Sequence, residues 1–420
     1  MSIRPTAITT TMFLATIASN IHAAPERFRL PNGATIILEP VPGTEVVALE
    51  RFVETGFLDD PKGWPQMSHL VEHLTCYGGT ESHEPHEAFD HLTSIGVANA
   101  ETLATFTHYD AFGPSSELEW ILNLEAERLD HLRFDEAMVA HEAGRCDQEV
   151  IGVSSHPLAP LMKFGVMAAH QVWRFDVEHV DIMGIVPPVG AIETWRTNHD
   201  TVSSSTWVLV GDFDVDEARR LVERTIGSVG TAPPPRARPD IDVEAMPDHH
   251  EITWNASHDV MFLTWAPPKD EGDRAVLALW GSIVTERLMA DETVKAHATF
   301  GASPGHSWPL GDLPFLLYAT LRDDADLDTL TARMDEILRD TNVPMRRMMS
   351  MMPSSLPTMT EAQARAVASR PGMSMDLVLG NQALQRGLEA MRPPMGDDTR
   401  LEGLVKALPA PRRLVIRSSD

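Results

Sequence analysis

His69 and His73, in the run Ser68-His69-Leu70-Val71-Glu72-His73-Leu74, carry the strongest chemical signal in the chain. On a helix, residues four apart leave the same face one turn above each other, so the two imidazoles can hold one metal ion. Glu72 precedes the second histidine and is better placed to reach a water on that ion than to be its main ligand. It is read as a general base. Catalytic zinc takes three protein ligands and keeps a fourth position for water, so a third ligand has to come from elsewhere. The plain alternative is an amphipathic helix carrying two surface histidines and a glutamate.

The order His-x-x-Glu-His is the inverse of the zincin order His-Glu-x-x-His. Downstream, Glu142 and Glu149 in His141-Glu142-Ala143-Gly144-Arg145-Cys146-Asp147-Gln148-Glu149 lie two helical turns apart and share a face. Between the two runs stands Gly96-Val97-Ala98-Asn99-Ala100-Glu101-Thr102, followed by Thr107-His108-Tyr109. These three pieces, in this order, resemble the pitrilysin/insulinase family of zinc metallopeptidases, in the short two-domain form of the mitochondrial processing peptidase subunits. The resemblance implies one Zn2+ per chain held by His69, His73 and Glu149, with Glu142 behind the ligands and Glu72 as the base. It also implies that Asn99 and Ala100 lie on an edge strand to which a peptide substrate adds. The implied activity is hydrolysis of unfolded peptides enclosed between two bowl-like halves. Two rivals are a peptidase-like assembly or binding subunit without activity, and a periplasmic metal carrier.

Two departures from the family pattern matter. Gln66 stands where glycine is usual, three residues before His69, which loosens the expected start of the helix. An arginine and a tyrosine that reach the substrate from the second half of the assembly are replaced by Thr293 and Phe300. The resemblance therefore implies a related peptidase-like partner chain that supplies them, or a homodimer.

With 61 acidic against 34 basic residues the net charge is -27, which argues against nucleic acid and anionic membrane surfaces as partners. At 420 residues and 43% hydrophobic composition, the chain can build two full cores. Residues 1–24 have a positive start, a short apolar centre and small residues at Ala23 and Ala24, like a secretory signal. That reading puts the protein in the periplasm or outside the cell. A cytoplasmic chain with a disordered tail is the alternative. Cys76 follows His73 by three residues and Cys146 precedes Glu149 by three. If the two helices run antiparallel, the thiols could meet in a disulfide bracing the site; two buried, unpaired thiols are the other reading.

The elements that must position these residues follow from hydrophobic patterning. Strands are expected on both sides of Pro31-Asn32-Gly33, over 46–55, around Asn99 and over 207–211. Helices are expected around His69 and His73 and over 84–95, 116–131, 142–149 and 215–226. The second half repeats the outline: a strand over 260–265, a helix over 274–290 without the histidines, a strand over 315–320, a helix over 327–338 and a closing strand at 414–416. This gives an α+β fold of two related α/β-sandwich domains, each a mostly antiparallel sheet with helices packed on it. The expected division is a zinc-bearing domain over 25–226, a proline-rich linker over 227–250 and a metal-free domain over 251–420. His83, His86, His91, His108, His131 and His141 are read as surface or hydrogen-bonded histidines. The methionine-dense stretch 345–359 is read as an adaptable packing surface.

Overall fold

The computed structural model describes residues 25–154, 160–231, 241–256, 258–266, 268–298, 305–306, 314–339, 361–368, 375–391 and 401–419. The leader-like residues 1–24, Phe300 and the methionine-dense stretch lie outside them. No helix among the described residues is long and apolar enough to cross a membrane.

Two six-stranded sheets form the frame. The first runs β1 (Glu26–Arg29), β2 (Thr35–Pro40), β7 (Ser205–Gly211), β3 (Val46–Val53), β5 (Thr107–Pro114), β4 (Val97–Thr102), in that spatial order. The second runs β10 (Gly305–His306), β11 (Phe315–Thr320), β9 (Val260–Trp265), β12 (Arg412–Ser418), β8 (His249–Trp254), β6 (His179–Val180). The repeat is visible in the pairing. In each sheet an early strand lies parallel to the last, β2 to β7 and β8 to β12. That last strand then pairs antiparallel with β3 or β9, which in turn pair antiparallel with β5 and β11. The remaining pairs of the first sheet are antiparallel too, and the fold class expected from the sequence is the one observed.

Ten labelled helices cover the sheets: α1 (Met67–Tyr77), α2 (Glu87–Ile95), α3 (Leu118–Asp130), α4 (Glu136–Ser154), α5 (Pro160–Phe175), α6 (Val189–His199), α7 (Val215–Arg224), α8 (Glu271–Ala290), α9 (Glu292–His297) and α10 (Leu327–Arg339). Alternating side chains of the first sheet, among them Leu38, Leu49, Trp207 and Leu209, pack on α2, α3 and α7. Ile37, Ala48, Phe52 and Val208 point the other way, onto Val378, Leu379 and Ala383 of the helix Met375–Met391. The second sheet mirrors this. Met261, Leu263 and Phe315 pack on α8, α9 and α10, while Val260, Phe262 and Ile416 meet Phe164, Met167 and Val172 of α5. Each sheet is thus covered on one face by helices of its own half and on the other by a helix from the opposite half. Burial on both faces explains why β7 and β9 read as near-continuous apolar runs rather than as alternating ones.

Candidate metal centre

Every residue of α1 from Met67 to Cys76 is buried. The helix is wedged against α4 and α6 through Met67, Leu70, Val71, Leu74, Val139, Ala143, Ile192 and Trp195. Its first turn is held by Asp60, whose Oδ1 accepts a hydrogen bond from the Ser68 amide at 2.8 Å. The side chain of Gln66, directly before the helix, accepts from His69 Nδ1 at 3.1 Å and donates to Asp147 Oδ1 of α4 at 3.1 Å. The glutamine that loosens the sequence pattern therefore ties the two helices together. As α1 advances from His69 to His73, its partners on α4 step back from Glu149 to Glu142, so the helices run antiparallel.

His69 and His73 stand edge to face, with ring centroids 4.9 Å apart. His69 Nε2 lies 3.1 Å from Glu149 Oε2, and His73 Nε2 lies 3.2 Å from Glu149 Oε1. Glu142, fully buried, holds His73 Nδ1 at 3.0 Å and is itself held by His141 and Arg145. Each imidazole is thus fixed through Nδ1 and presents Nε2 to one carboxylate, the arrangement that orients histidines around a metal. The rings are 2% and 4% exposed and the Glu149 side chain 50%, so the carboxylate marks the open mouth of the site.

The electrostatics fit a cation. Burial pushes the His69 imidazole down, but Cys146, Glu149 and Glu72 beside it prevail and hold it up at about 9. His73 is likewise held up against burial by Cys146, Glu142 and Glu149. Burial raises Glu149, yet its hydrogen bonds with the two histidines keep it well below the usual carboxylate range. A buried cluster that retains protons on imidazoles beside carboxylates is one whose positive charge a divalent ion can replace. The nitrogen and oxygen donor set suits zinc.

Glu72 lies beside the histidines, and its Oε2 accepts from Thr102 Oγ1 of β4 at 2.6 Å. β4 is the last strand of its sheet, with only β5 paired to it among the described residues. Asn99, opposite Asp110, is exposed; Ala100, opposite Tyr109, packs inward beside Tyr77 and Phe89. The sequence-derived site residues, His69, His73, Glu149, Glu142, Glu72, Asn99 and Ala100, therefore lie in one neighbourhood. Thr293 sits apart on α9, where its amide donates to the helix-capping Asp291.

The disulfide does not form: both cysteines are free and buried. His73 lies level with Glu142, while Glu149 reaches back to His69. Cys76 is thereby carried past Cys146 and packs with Val53 and Tyr109, whereas Cys146 packs with Met67 and Leu70. What the three-residue spacing does achieve is to bring the Cys146 sulfur to the histidine pair. His108, read as an ordinary histidine, also has a special place: its Nδ1 is 3.2 Å from Glu50 and 3.9 Å from Asp110, and its Nε2 is 3.6 Å from Glu101. The alternation of His108 and Asp110 along β5 was the available signal for that cluster.

No family profile matches the chain. Coenzyme PQQ synthesis protein F of Pseudomonas aeruginosa is 24% identical over 226 residues, covering 49% of this chain but only 28% of that protein. A protease from Helicobacter pylori superposes with a TM-score of 0.63 at 16% identity, over 94% of this chain and 99% of the other. The inactive domain of an M16 peptidase from Pseudomonas fluorescens gives 0.63 at 14% identity, over 94% and 98%. Pitrilysin gives 0.57 at 14% identity over 94% of this chain and 45% of its own length, so this chain spans about half of it. Identities this low speak for the fold alone, and that fold is the pitrilysin/insulinase type of the M16 peptidases.

Proposed function

We propose that the chain is a zinc-dependent endopeptidase acting on unfolded peptides, and that it works outside the cytoplasm as one of a pair of related subunits. The observation that carries the reading is the Glu149 carboxylate lying 3.1 and 3.2 Å from Nε2 of His69 and His73, beside Glu72 and a strand, β4, that among the described residues pairs on one side only. Zinc held by those three residues would supply a polarised water and a Lewis acid for the scissile carbonyl. Glu72, fixed at Oε2 by Thr102, has Oε1 to accept the proton of the attacking water and pass it to the leaving amine. The peptide adds to the edge of β4 alongside Asn99 and Ala100, where backbone pairing holds it extended and tolerates varied side chains.

The pairing rests on Thr293 and Phe300, which lack the charge and the hydroxyl that the family resemblance puts at those positions to reach substrate. The likeness to an inactive M16 domain supports a second reading, a non-catalytic peptidase-like assembly or binding subunit.

One experiment separates them: zinc content and peptide turnover of the wild type, Glu72→Gln and His69→Ala, each with and without a related subunit carrying the arginine and tyrosine. The peptidase reading expects Glu72→Gln to keep zinc and lose about 100-fold or more in rate, and His69→Ala to lose both. A fully active Glu72→Gln sinks the assigned base. Zinc without turnover in every combination favours the second reading.

A further inference from the structure

We propose that Cys146 is a fourth protein ligand at this centre, and that its thiolate competes with water for the metal. The proposal rests on the zinc reading for the presence of a metal and adds how access to it is controlled. Cys146 Sγ and one ring nitrogen each of His69 and His73 all lie within 4.8 Å of one another, and all three residues are buried. Glu149 touches both rings from the same helix, less than one turn further on. The two imidazoles thus face both the Cys146 sulfur and the Glu149 carboxylate, and nitrogen, oxygen and sulfur are all donor types that zinc takes.

Packing does not ask for a thiol here. Away from the imidazoles Cys146 belongs to an apolar cluster with Met67, Leu70 and Ala143, and a small apolar side chain would satisfy that packing. Only the side of the residue that faces the imidazoles makes use of sulfur.

The chemical consequence follows from coordination number. Three protein ligands leave a tetrahedral ion open to water, whereas four close it. When the sulfur binds, the thiol proton passes to solvent, no electrons are exchanged, and the resting centre is shut. The site opens when sulfur yields its place.

The test uses the full chain loaded with cobalt(II) in place of zinc. Thiolate ligation gives a strong sulfur-to-cobalt charge-transfer band in the near ultraviolet. The band is expected in the wild type, lost in Cys146→Ser and Cys146→Ala, and kept in Cys76→Ser, whose residue belongs to a different cluster. Circular dichroism establishes that each variant is folded. Stoichiometric cobalt without the band, or a band that survives Cys146→Ser, overturns the proposal and leaves the zinc reading standing. A wild type that binds no cobalt defeats both. Turnover per bound zinc is expected to rise in Cys146→Ser, and a fall would overturn the competition with water.

Discussion

Glu50 and His108 show what the inner face of the first sheet holds beside the proposed peptide edge. Burial pushes the Glu50 carboxyl up to about 7 and Asp110 up to about 6, while Glu101 and Glu50 beside His108 raise it, against burial, to about 10. All three groups bind protons more tightly folded than unfolded, so each favours the fold at low pH and loses that contribution as pH rises through its folded value. For Glu50 the window runs from 4.5 to about 7. Chemical denaturation across that range is expected to show stability falling with pH in the wild type and a shallower fall in Glu50→Gln. Identical slopes would remove Glu50 as the cause. The pairing of His69 with His73 was legible from residue types and the spacing of one helical turn, whereas the parts given to Glu149 and Glu142, two turns apart on one face, came from the family resemblance. The place of Cys146 was not legible. Spacing along a helix gives the face of a residue, and only the packing of α1 on α4 gives its level.

Among the elements, the helix Met375–Met391 carries the most specific packing. A Cβ on Gly380 would lie 2.3 Å from the Phe112 ring, and one on Gly387 would lie 1.9 Å from that of Phe52, so both glycines let the helix settle close to the sheet. On the same helix, Arg386 Nε and Gln382 Nε2 donate to the buried Glu39 of β2 at 2.9 and 3.0 Å. Gly387→Ala is expected to destabilise by about 1–3 kcal/mol through overpacking. Urea unfolding would measure it, and an unchanged midpoint would mean that the helix rides higher than described. The central strands were legible, since β-branched and apolar runs at 46–55, 207–211, 260–265 and 315–320 coincide with β3, β7, β9 and β11 to within two residues, whereas β8 begins inside the expected linker and β6 and β10 were not expected. The destination of this helix and of α5 was not legible, because an apolar helix face does not state which sheet it will cover.

At the scale of the whole molecule, the exchange of α5 and the helix Met375–Met391 between the two sheets makes each core depend on chain from the other half. Calorimetry is expected to record one transition with equal calorimetric and van't Hoff enthalpies. Residues 25–226 expressed alone are expected not to fold, since Ile37, Ala48, Phe52 and Val208 would have lost their cover. Two resolved transitions, or a stable isolated half, would contradict that dependence. The same crossed lacing bears on how a substrate gets in. A molecule whose two sheets are each clasped by the other's helix has no free joint between them, so, if the proposed function holds, any gap that opens to admit a peptide lies outside this laced unit rather than between its two sheets.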